Sequence, residues 1–298
     1  MVFGLFKKKT APVVSAPSLS IDEQFAQIGE QEIAYLQSGP KNKSVVFIHG
    51  NSACKEAFSE QFQPLLDAGY GVLAADLPGH GASADAMNPS TQYTIPFYAH
   101  LIANLCAHLG IENALLCGWS LGGHIAIEMA AEQTSYAGIM ISGTPPVGPG
   151  VEHLEAAFLP SDVSDVTGAE NPPKGRLEAY ISALYGSVPR VPENLIQAGI
   201  RADGRSRSSM FAHWASGASG HDQRQFVQNW RKPILILHGE DDAFISADYF
   251  KTLDVSGDGT DTTFELIERV GHAPFIEASN TFNEKLLELC KRSFRQRA

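Results

Sequence analysis

Short apolar runs alternate with helix-like patterns along most of this chain of 298 residues. Strands that are apolar along their whole length are buried on both faces, and strands that alternate with helices pair in parallel. The pattern therefore predicts an α/β fold with a mostly parallel central sheet and helices on both faces. The six runs are SVVFIHG (44–50), YGVLAAD (70–76), NALLCGWS (113–120), YAGIMISG (136–143), PILILHGE (233–240) and TTFELIE (262–268). An alternating pattern over residues 24–40 indicates a hairpin at the sheet edge.

The strand pattern is interrupted over residues 145–228, where Pro, Gly, Ser and Asp separate short helical pieces. We interpret this segment as a helical cap inserted between two strands of the sheet. Ligands of open α/β sheets bind at the carboxyl ends of the strands, which is where such a cap would lie. The core around the sheet would then comprise residues 21–144 and 229–298, and residues 1–20 would form a flexible leader.

The charge balance of the chain excludes several classes of function. Lysine and arginine total 22 against 33 acidic residues, a formal net charge of −11. Nucleic acids and anionic membranes require a basic surface, so we expect neither as a partner. No apolar run approaches the roughly 18 residues of a membrane span. The four cysteines are widely spaced and predict no disulfide framework, which indicates a cytoplasmic location.

Metal-binding motifs are also missing from the sequence. It contains no H-x-H or H-E-x-x-H pattern and no closely paired cysteines. We therefore expect no metal and no cofactor.

The run at 113–120 ends in Gly118-Trp119-Ser120-Leu121-Gly122, and a helical pattern begins directly after it. A serine in this position is often only a helix N-cap. A sharp turn from a buried strand into a helix, however, presents a serine hydroxyl at the edge of the sheet, and its crowding requires glycine on both sides. The pattern therefore predicts Ser120 as a nucleophile.

A serine nucleophile needs a base, and the base needs an acid to orient it. His272 follows the last predicted strand, and the carboxylates Glu240, Asp241 and Asp242 follow the strand before it. The chain order of nucleophile, acid and histidine is that of the α/β-hydrolase fold.

The reaction also needs N–H donors for the negatively charged oxygen of the intermediate. The first parallel strand ends in the loop His49-Gly50-Asn51-Ser52, which can present backbone N–H groups beside Leu121. We expect the N–H groups of Asn51 and Leu121 to form this oxyanion hole, with Gly50 also contacting the substrate. One such donor stabilises the transition state by about 3 kcal/mol.

Five motifs together resemble those of the α/β-hydrolase superfamily, in the same order. They are FIHGNS, DLPGHGAS, GWSLGG, HGEDD and GHAPFIE. The resemblance covers nearly the whole chain from about residue 28. It implies a hydrolase whose catalytic triad is Ser120, Asp242 and His272, since the superfamily pattern selects Asp242 among the three carboxylates.

A closer resemblance is to the metal-independent N-acyl-homoserine lactonases of this fold, which open the lactone ring of bacterial quorum-sensing signals. It extends into the cap, and it implies a quorum-quenching lactonase. The triad acid of the lactonase pattern is a glutamate, whereas this chain has Asp242; either acid can orient the histidine. The motifs that carry the resemblance are HGNS, DLPGHG, GWSLGGHIAIEM, SGTPPV, DGRSRSSMF and GHAPF.

Five side chains are candidates for the wall of the substrate pocket. The resemblance implies that the hydroxyl of Tyr180 points at the lactone or amide carbonyl, although packing on a cap helix is the alternative. Trp119 could pack in the core or face the pocket. Met210, Phe211 and Trp214 could form the core of the cap or the wall of an acyl-chain pocket.

Other polar residues of the motifs are interpreted as structural. His49, His80 and His124 are expected to bond to nearby backbone groups, and Asp76 and Ser83 to brace their own loop. Two alternative functions remain open at this point: a carboxylesterase or C–C bond hydrolase with the same triad, and a ligand receptor without catalysis. Each of these functions, like that of a lactonase, requires a small-molecule ligand.

Overall fold

Eight strands form a single sheet in the computed structural model, which describes residues 21–149, 151–216, 220–255 and 259–295. The strands are β1 (Glu23–Ile28), β2 (Gln31–Ser38), β3 (Ser44–Ile48), β4 (Gly71–Ala75), β5 (Leu115–Trp119), β6 (Gly138–Ser142), β7 (Ile234–Gly239) and β8 (Thr262–Ile267). Their order across the sheet is β1-β2-β4-β3-β5-β6-β7-β8. The leader proposed for residues 1–20 lies outside the described residues.

The sheet is antiparallel at one edge and parallel elsewhere. Strand β2 pairs antiparallel with both β1 and β4, and all the remaining pairs are parallel. Each of the six apolar runs contains one parallel strand, and the hairpin lies at the edge. The fold class expected from the sequence is confirmed.

Helices cover both faces of the sheet. They are α1 (Ser59–Asp67), α2 (Pro89–Gln92), α3 (Ile95–Leu109), α4 (Leu121–Glu132), α5 (Val151–Ala157), α6 (Ser164–Thr167), α7 (Lys174–Leu184), α8 (Glu193–Arg201), α9 (Gly204–Ala215), α10 (Gln223–Asn229), α11 (Ala247–Phe250), α12 (Pro274–Glu277) and α13 (Ser279–Ser293). No helix among the described residues is long and apolar enough to cross a membrane.

Strand β3 shows why the apolar runs are continuous. Val46 and Ile48 belong to the core cluster that includes residues of α3 and α4. Val45 and Phe47 belong to the second cluster, with residues of α1 and α13. Because successive side chains point to opposite faces, a strand covered on both faces must be apolar at every position.

Six helices, α5 to α10, lie between β6 and β7, in the segment interpreted as a cap. Arg207 of α9 is 2% exposed and ties this segment to the core. Its guanidinium donates to the hydroxyl of Ser52 over 3.2 Å and to the carbonyls of Ala169 and Glu170 over 2.9 and 3.2 Å. The cap segment is therefore anchored beside the loop that follows β3.

A buried ion pair supports that same loop. Lys55 Nζ lies 2.7 Å from Asp76 Oδ2, and the Lys55 backbone N–H donates to Asp76 Oδ1 over 2.8 Å. Asp76 also accepts from the Ala82 N–H over 2.8 Å, and the Ser83 hydroxyl donates to the Asp76 carbonyl over 2.7 Å. Asp76 and Ser83 thus brace the turn they belong to, and Asp76 additionally fixes Lys55.

We predict that Lys55→Met destabilises the fold by about 3 kcal/mol or more, because it leaves the buried Asp76 carboxylate without its cation. The measurement is urea unfolding at neutral pH. Lys251→Met is the matched control, since Lys251 forms an exposed ion pair with Asp248 and should change stability little. Equal effects of the two substitutions would contradict the prediction.

Candidate active site

Ser120 stands at a strained turn between β5 and α4. Its backbone has φ 53° and ψ −120°, a left-handed conformation that costs a residue other than glycine about 1–3 kcal/mol. Hydrogen bonds hold the turn in place: the Ser120 N–H donates to the Ser142 carbonyl over 2.9 Å, and the Ser120 carbonyl accepts from the Thr144 hydroxyl over 2.8 Å. Strain that neighbouring elements maintain in this way is typical of functional sites.

The glycines on either side of Ser120 are required by the close approach of other backbone. A Cβ atom on Gly122 would lie 1.9 Å from the Ile48 carbonyl oxygen, and one on Gly118 would lie 2.3 Å from the Gly122 carbonyl oxygen. Both distances are far below a van der Waals contact. The turn therefore accepts only glycine at these two positions.

His272 and Asp242 form a short hydrogen bond. His272 Nδ1 lies 2.7 Å from Asp242 Oδ2, and both side chains are buried. The other carboxylate oxygen, Oδ1, accepts from the N–H groups of Phe244 and Ile245 over 2.8 and 3.1 Å. Burial opposes ionisation of Asp242, but the attraction of His272 and these hydrogen bonds together lower its pKa. Asp242 is therefore an anion at neutral pH.

The other two carboxylates of this turn, Glu240 and Asp241, are exposed. Asp242 is thus the carboxylate of the three that contacts the histidine. Trp119 Nε1 donates to the His272 carbonyl over 2.8 Å, and the Gly143 backbone is so close that a Cβ atom there would lie 2.8 Å from His272 Cε1. The imidazole is held on several sides.

Ser120 and His272 open into the same cavity, which has a volume of about 850 Å³. Most of its wall comes from the cap segment. Tyr180, Met210, Phe211 and Trp214, which the sequence marked as candidates, all line it. The wall also contains Val147, Leu154, Phe158, Leu159, Leu184 and Phe244, which the sequence analysis did not identify.

Trp119 does not have the position proposed for a pocket residue. Its indole is fully buried and packs against Phe275, with ring centroids 4.8 Å apart, and against Tyr185 at 5.6 Å. It lies outside the cavity lining among the described residues. Its side chain instead supports His272 from behind.

Gly50 and Asn51 lie beside Ser120. A Cβ atom on Gly50 would lie 3.2 Å from Ser120 Cβ, so the loop backbone passes directly next to the serine. Leu121 is the first residue of α4, where an N–H group has no partner inside the helix. The Asn51 side chain points to the cap and donates to the Thr167 carbonyl over 3.5 Å. These positions are compatible with two backbone donors near Ser120.

His49 fixes the start of that loop. Its Nδ1 atom lies 2.7 Å from the Gly50 carbonyl, and its Nε2 atom accepts from the Leu77 N–H over 3.0 Å. His80 contacts the Pro78 carbonyl over 3.1 Å. Both rings therefore bond to backbone, as the sequence indicated.

His124 differs from that expectation. Its Nδ1 atom lies 2.7 Å from the side-chain oxygen of Gln223 in α10, and its ring packs edge-on against Trp214 at 4.6 Å. Burial lowers its pKa to about 4, so the ring is neutral. His124 therefore joins α4 to the cap segment, a long-range contact that its local sequence does not reveal.

The cationic side chains of the cap segment do not reach the cavity. Arg201 bonds to the Ser83 carbonyl and to Asp85, and Arg205 pairs with Asp203. Arg207 is occupied by its bonds to Ser52 and the cap backbone. Among the described residues, no lysine or arginine lines the cavity, so no fixed cation there would pair with an anionic ligand.

One cluster could hold a cation. Glu128, Glu132 and His221 offer ligand atoms that all lie within 4.8 Å of one another. The buried carboxylate of Glu128 already accepts from His221 Nδ1 over 3.0 Å and from the His221 N–H over 2.9 Å. Its bonds are therefore explained without an ion, as a link between α4 and the cavity wall.

The chain belongs to the α/β-hydrolase family, since the model of the alpha/beta hydrolase fold matches residues 43–279. The family resemblance seen in the sequence is confirmed. Among solved structures, the chain is similar to the N-acyl homoserine lactonase AidH complexed with N-butanoyl homoserine. The two chains are 31% identical with a TM-score of 0.84, over 93% of this chain and 99% of that chain.

Curated relatives are more distant and more varied. A dihydrolipoyllysine-residue acetyltransferase component of the acetoin cleaving system from Cupriavidus necator is 26% identical, over 88% of this chain and 67% of that protein. A 2-hydroxy-6-oxo-6-phenylhexa-2,4-dienoate hydrolase from Comamonas testosteroni is 25% identical, over 90% of this chain and 96% of that protein.

We predict that Gly122→Ala destabilises the protein by about 3 kcal/mol or prevents folding, because the new methyl group meets the Ile48 carbonyl. Gly175→Ala is the control: it lies in α7, its Cβ atom would meet open space, and alanine should stabilise the helix by about 1 kcal/mol. Thermal unfolding of both variants tests the pair. A Gly122→Ala variant with native stability would show that the turn has more room.

Proposed function

We propose that Ser120, His272 and Asp242 form a catalytic triad and that the enzyme hydrolyses the lactone ring of N-acyl-homoserine lactones. The observation that carries the triad is the 2.7 Å bond between His272 and Asp242, beside a cavity that Ser120 shares with His272. Support for the substrate is the 31% identity to a lactonase over nearly the full length of both chains, cap included.

The proposed reaction is acyl transfer through a covalent acyl-enzyme. Ser120 Oγ attacks the lactone carbonyl carbon while His272 Nε2 takes the serine proton, and Asp242 stabilises the imidazolium that forms. The N–H groups of Asn51 and Leu121 stabilise the negative oxygen. The ring C–O bond then breaks, and His272 returns the proton to the homoserine oxygen. Water cleaves the acyl-enzyme in the same way and leaves N-acyl-homoserine.

The cavity matches the chemistry of this substrate. An N-acyl-homoserine lactone is uncharged, with an apolar chain and a few polar atoms at one end, and such ligands bind in apolar pockets that contain few polar groups. Leu154, Phe158 and Met210 supply apolar wall. Burial raises the pKa of Tyr180 to about 12, so its phenol keeps its proton at neutral pH and can donate to a carbonyl.

In the cell, ring opening would inactivate the signal molecule, so we infer a quorum-quenching role in the cytoplasm. Esterase or C–C bond cleavage is the second candidate, because the relative from Comamonas testosteroni is a hydrolase of 2-hydroxy-6-oxo-6-phenylhexa-2,4-dienoate. The triad would be the same and the substrate different.

We predict ring opening of acyl-homoserine lactones by the purified protein, with activity retained in excess EDTA because the triad needs no metal. The measurement is mass spectrometry of the ring-opened product, over a panel of lactones and aryl esters. Turnover of aryl esters without ring opening of any lactone would favour the esterase function. Loss of all activity in EDTA would favour a metal-dependent mechanism.

The variant Tyr180→Phe tests the proposed substrate. It removes one hydroxyl from the cavity wall and should lower lactone turnover about tenfold, since one hydrogen bond to the reacting ligand is lost. Turnover of a small aryl ester should change less, because that ester has no second carbonyl to accept the bond. An equal loss on both substrates would assign Tyr180 a packing role.

We predict that Asp242→Asn lowers kcat about 10⁴-fold while the fold is retained, because the amide favours the wrong tautomer of His272. Asp241→Asn is the control, since Asp241 is exposed and lies one residue away. A fluorophosphonate probe followed by peptide mapping should label Ser120 in the wild type and in the control. Label on Ser52 or Ser83 instead would refute the assignment of the nucleophile.

A further inference from the structure

A second histidine lies against the triad acid. His238 is the penultimate residue of β7, its side chain is fully buried, and its Nδ1 atom lies 3.7 Å from Asp242 Oδ2. The same oxygen accepts the 2.7 Å hydrogen bond of His272 Nδ1. Asp242 is thus flanked by two imidazole rings, of which the proposed mechanism uses only one.

The ring nitrogens of His238 have no hydrogen-bond partner within 3.5 Å in the part of the chain that the structure describes. The Phe250 ring packs on the imidazole with centroids 4.6 Å apart. The titratable groups that face it are Asp242 and His272, and the backbone carbonyl of Ile245 is a further polar group near the ring. A buried N–H without a partner destabilises the fold, and an aliphatic side chain at this position would avoid that cost.

His238 is neutral under ordinary conditions. Burial lowers its pKa to about 4, against the opposing attraction of Asp242. A neutral imidazole carries one N–H group, and that group can still donate a hydrogen bond to a carboxylate. Less than about 1 Å of movement would bring Nδ1 from 3.7 Å to hydrogen-bonding distance of Asp242 Oδ2.

We propose that His238 is a positioning residue for the triad: its Nδ1–H donates to Asp242 Oδ2 and holds that oxygen in line with His272. The inference rests on the proposed triad. With the two backbone donors on Oδ1, the carboxylate is then held from four directions.

Two substitutions, His238→Asn and His238→Leu, distinguish this positioning role from a packing role. Asn and Leu have nearly the same shape, so they differ mainly in whether they can donate a hydrogen bond. The amide nitrogen of Asn occupies the place of Nδ1 and keeps a donor, whereas Leu has none. The readout is the rate at which a fluorophosphonate labels Ser120, measured from pH 5 to pH 9. This readout does not depend on which substrate the enzyme uses.

We predict that His238→Leu reduces the labelling rate about tenfold, the effect expected when a carboxylate loses one hydrogen bond. Without that donor the Asp242 carboxylate is held less firmly, so His272 is less often in line to take the proton of Ser120. His238→Asn should label faster than His238→Leu, because its amide restores a donor to Asp242 Oδ2.

Faster labelling of His238→Leu than of His238→Asn would overturn the proposal. A packing role predicts that Leu, being apolar, suits the buried site better than Asn and labels as fast as the wild type. For the case in which neither variant folds, ¹⁵N-histidine spectra of the wild type give the tautomer of His238, and an unprotonated Nδ1 would equally refute it. A wild-type protein that is not labelled at all would refute the triad itself, which is a separate result.

Discussion

The left-handed turn at Ser120 is the constraint on which the rest of the site depends. It places the serine hydroxyl at the carboxyl edge of the sheet and brings β3 so close to α4 that Gly122 cannot carry a side chain. The same turn puts the Leu121 N–H at the open end of α4, where a helix favours negative charge. Strand pairing and glycine packing compensate the strain, so the proposed nucleophile is fixed by the core and not by its own loop.

The cap segment does more than cover the cavity. Arg207 bonds to Ser52, and the Asn51 side chain bonds to the carbonyl of Thr167, so the loop with the proposed oxyanion donor is held by the cap as well as by the sheet. His124 and Glu128 make corresponding contacts from α4 to Gln223 and His221. The cap segment and the loop with the proposed oxyanion donor are therefore mechanically linked.

The sheet was predictable from the sequence because strands such as β3 must be apolar at every position, and this leaves a clear pattern. The turn at Ser120 was predictable because its crowding requires glycine. Contacts between distant segments leave no such pattern, which is why His124 was expected to bond to backbone although its partner is Gln223. Trp119 illustrates the same limit: its neighbour in sequence is Ser120, the proposed nucleophile, but its indole points behind His272, away from the cavity.

The charges around the cavity affect the direction of the proposed reaction. The lactone enters uncharged, and hydrolysis converts it to an acyl-homoserine with a free carboxylate. Among the described residues, no lysine or arginine lines the cavity. The acidic side chains of Glu155 and Asp222 do line it. Like charges in a partly dehydrated site repel, so a wall that accepts the neutral substrate disfavours the anionic product. The net charge of −11 on the chain adds to this repulsion. The absence of lysine and arginine from the described cavity wall therefore disfavours anionic substrates and favours release of the anionic product.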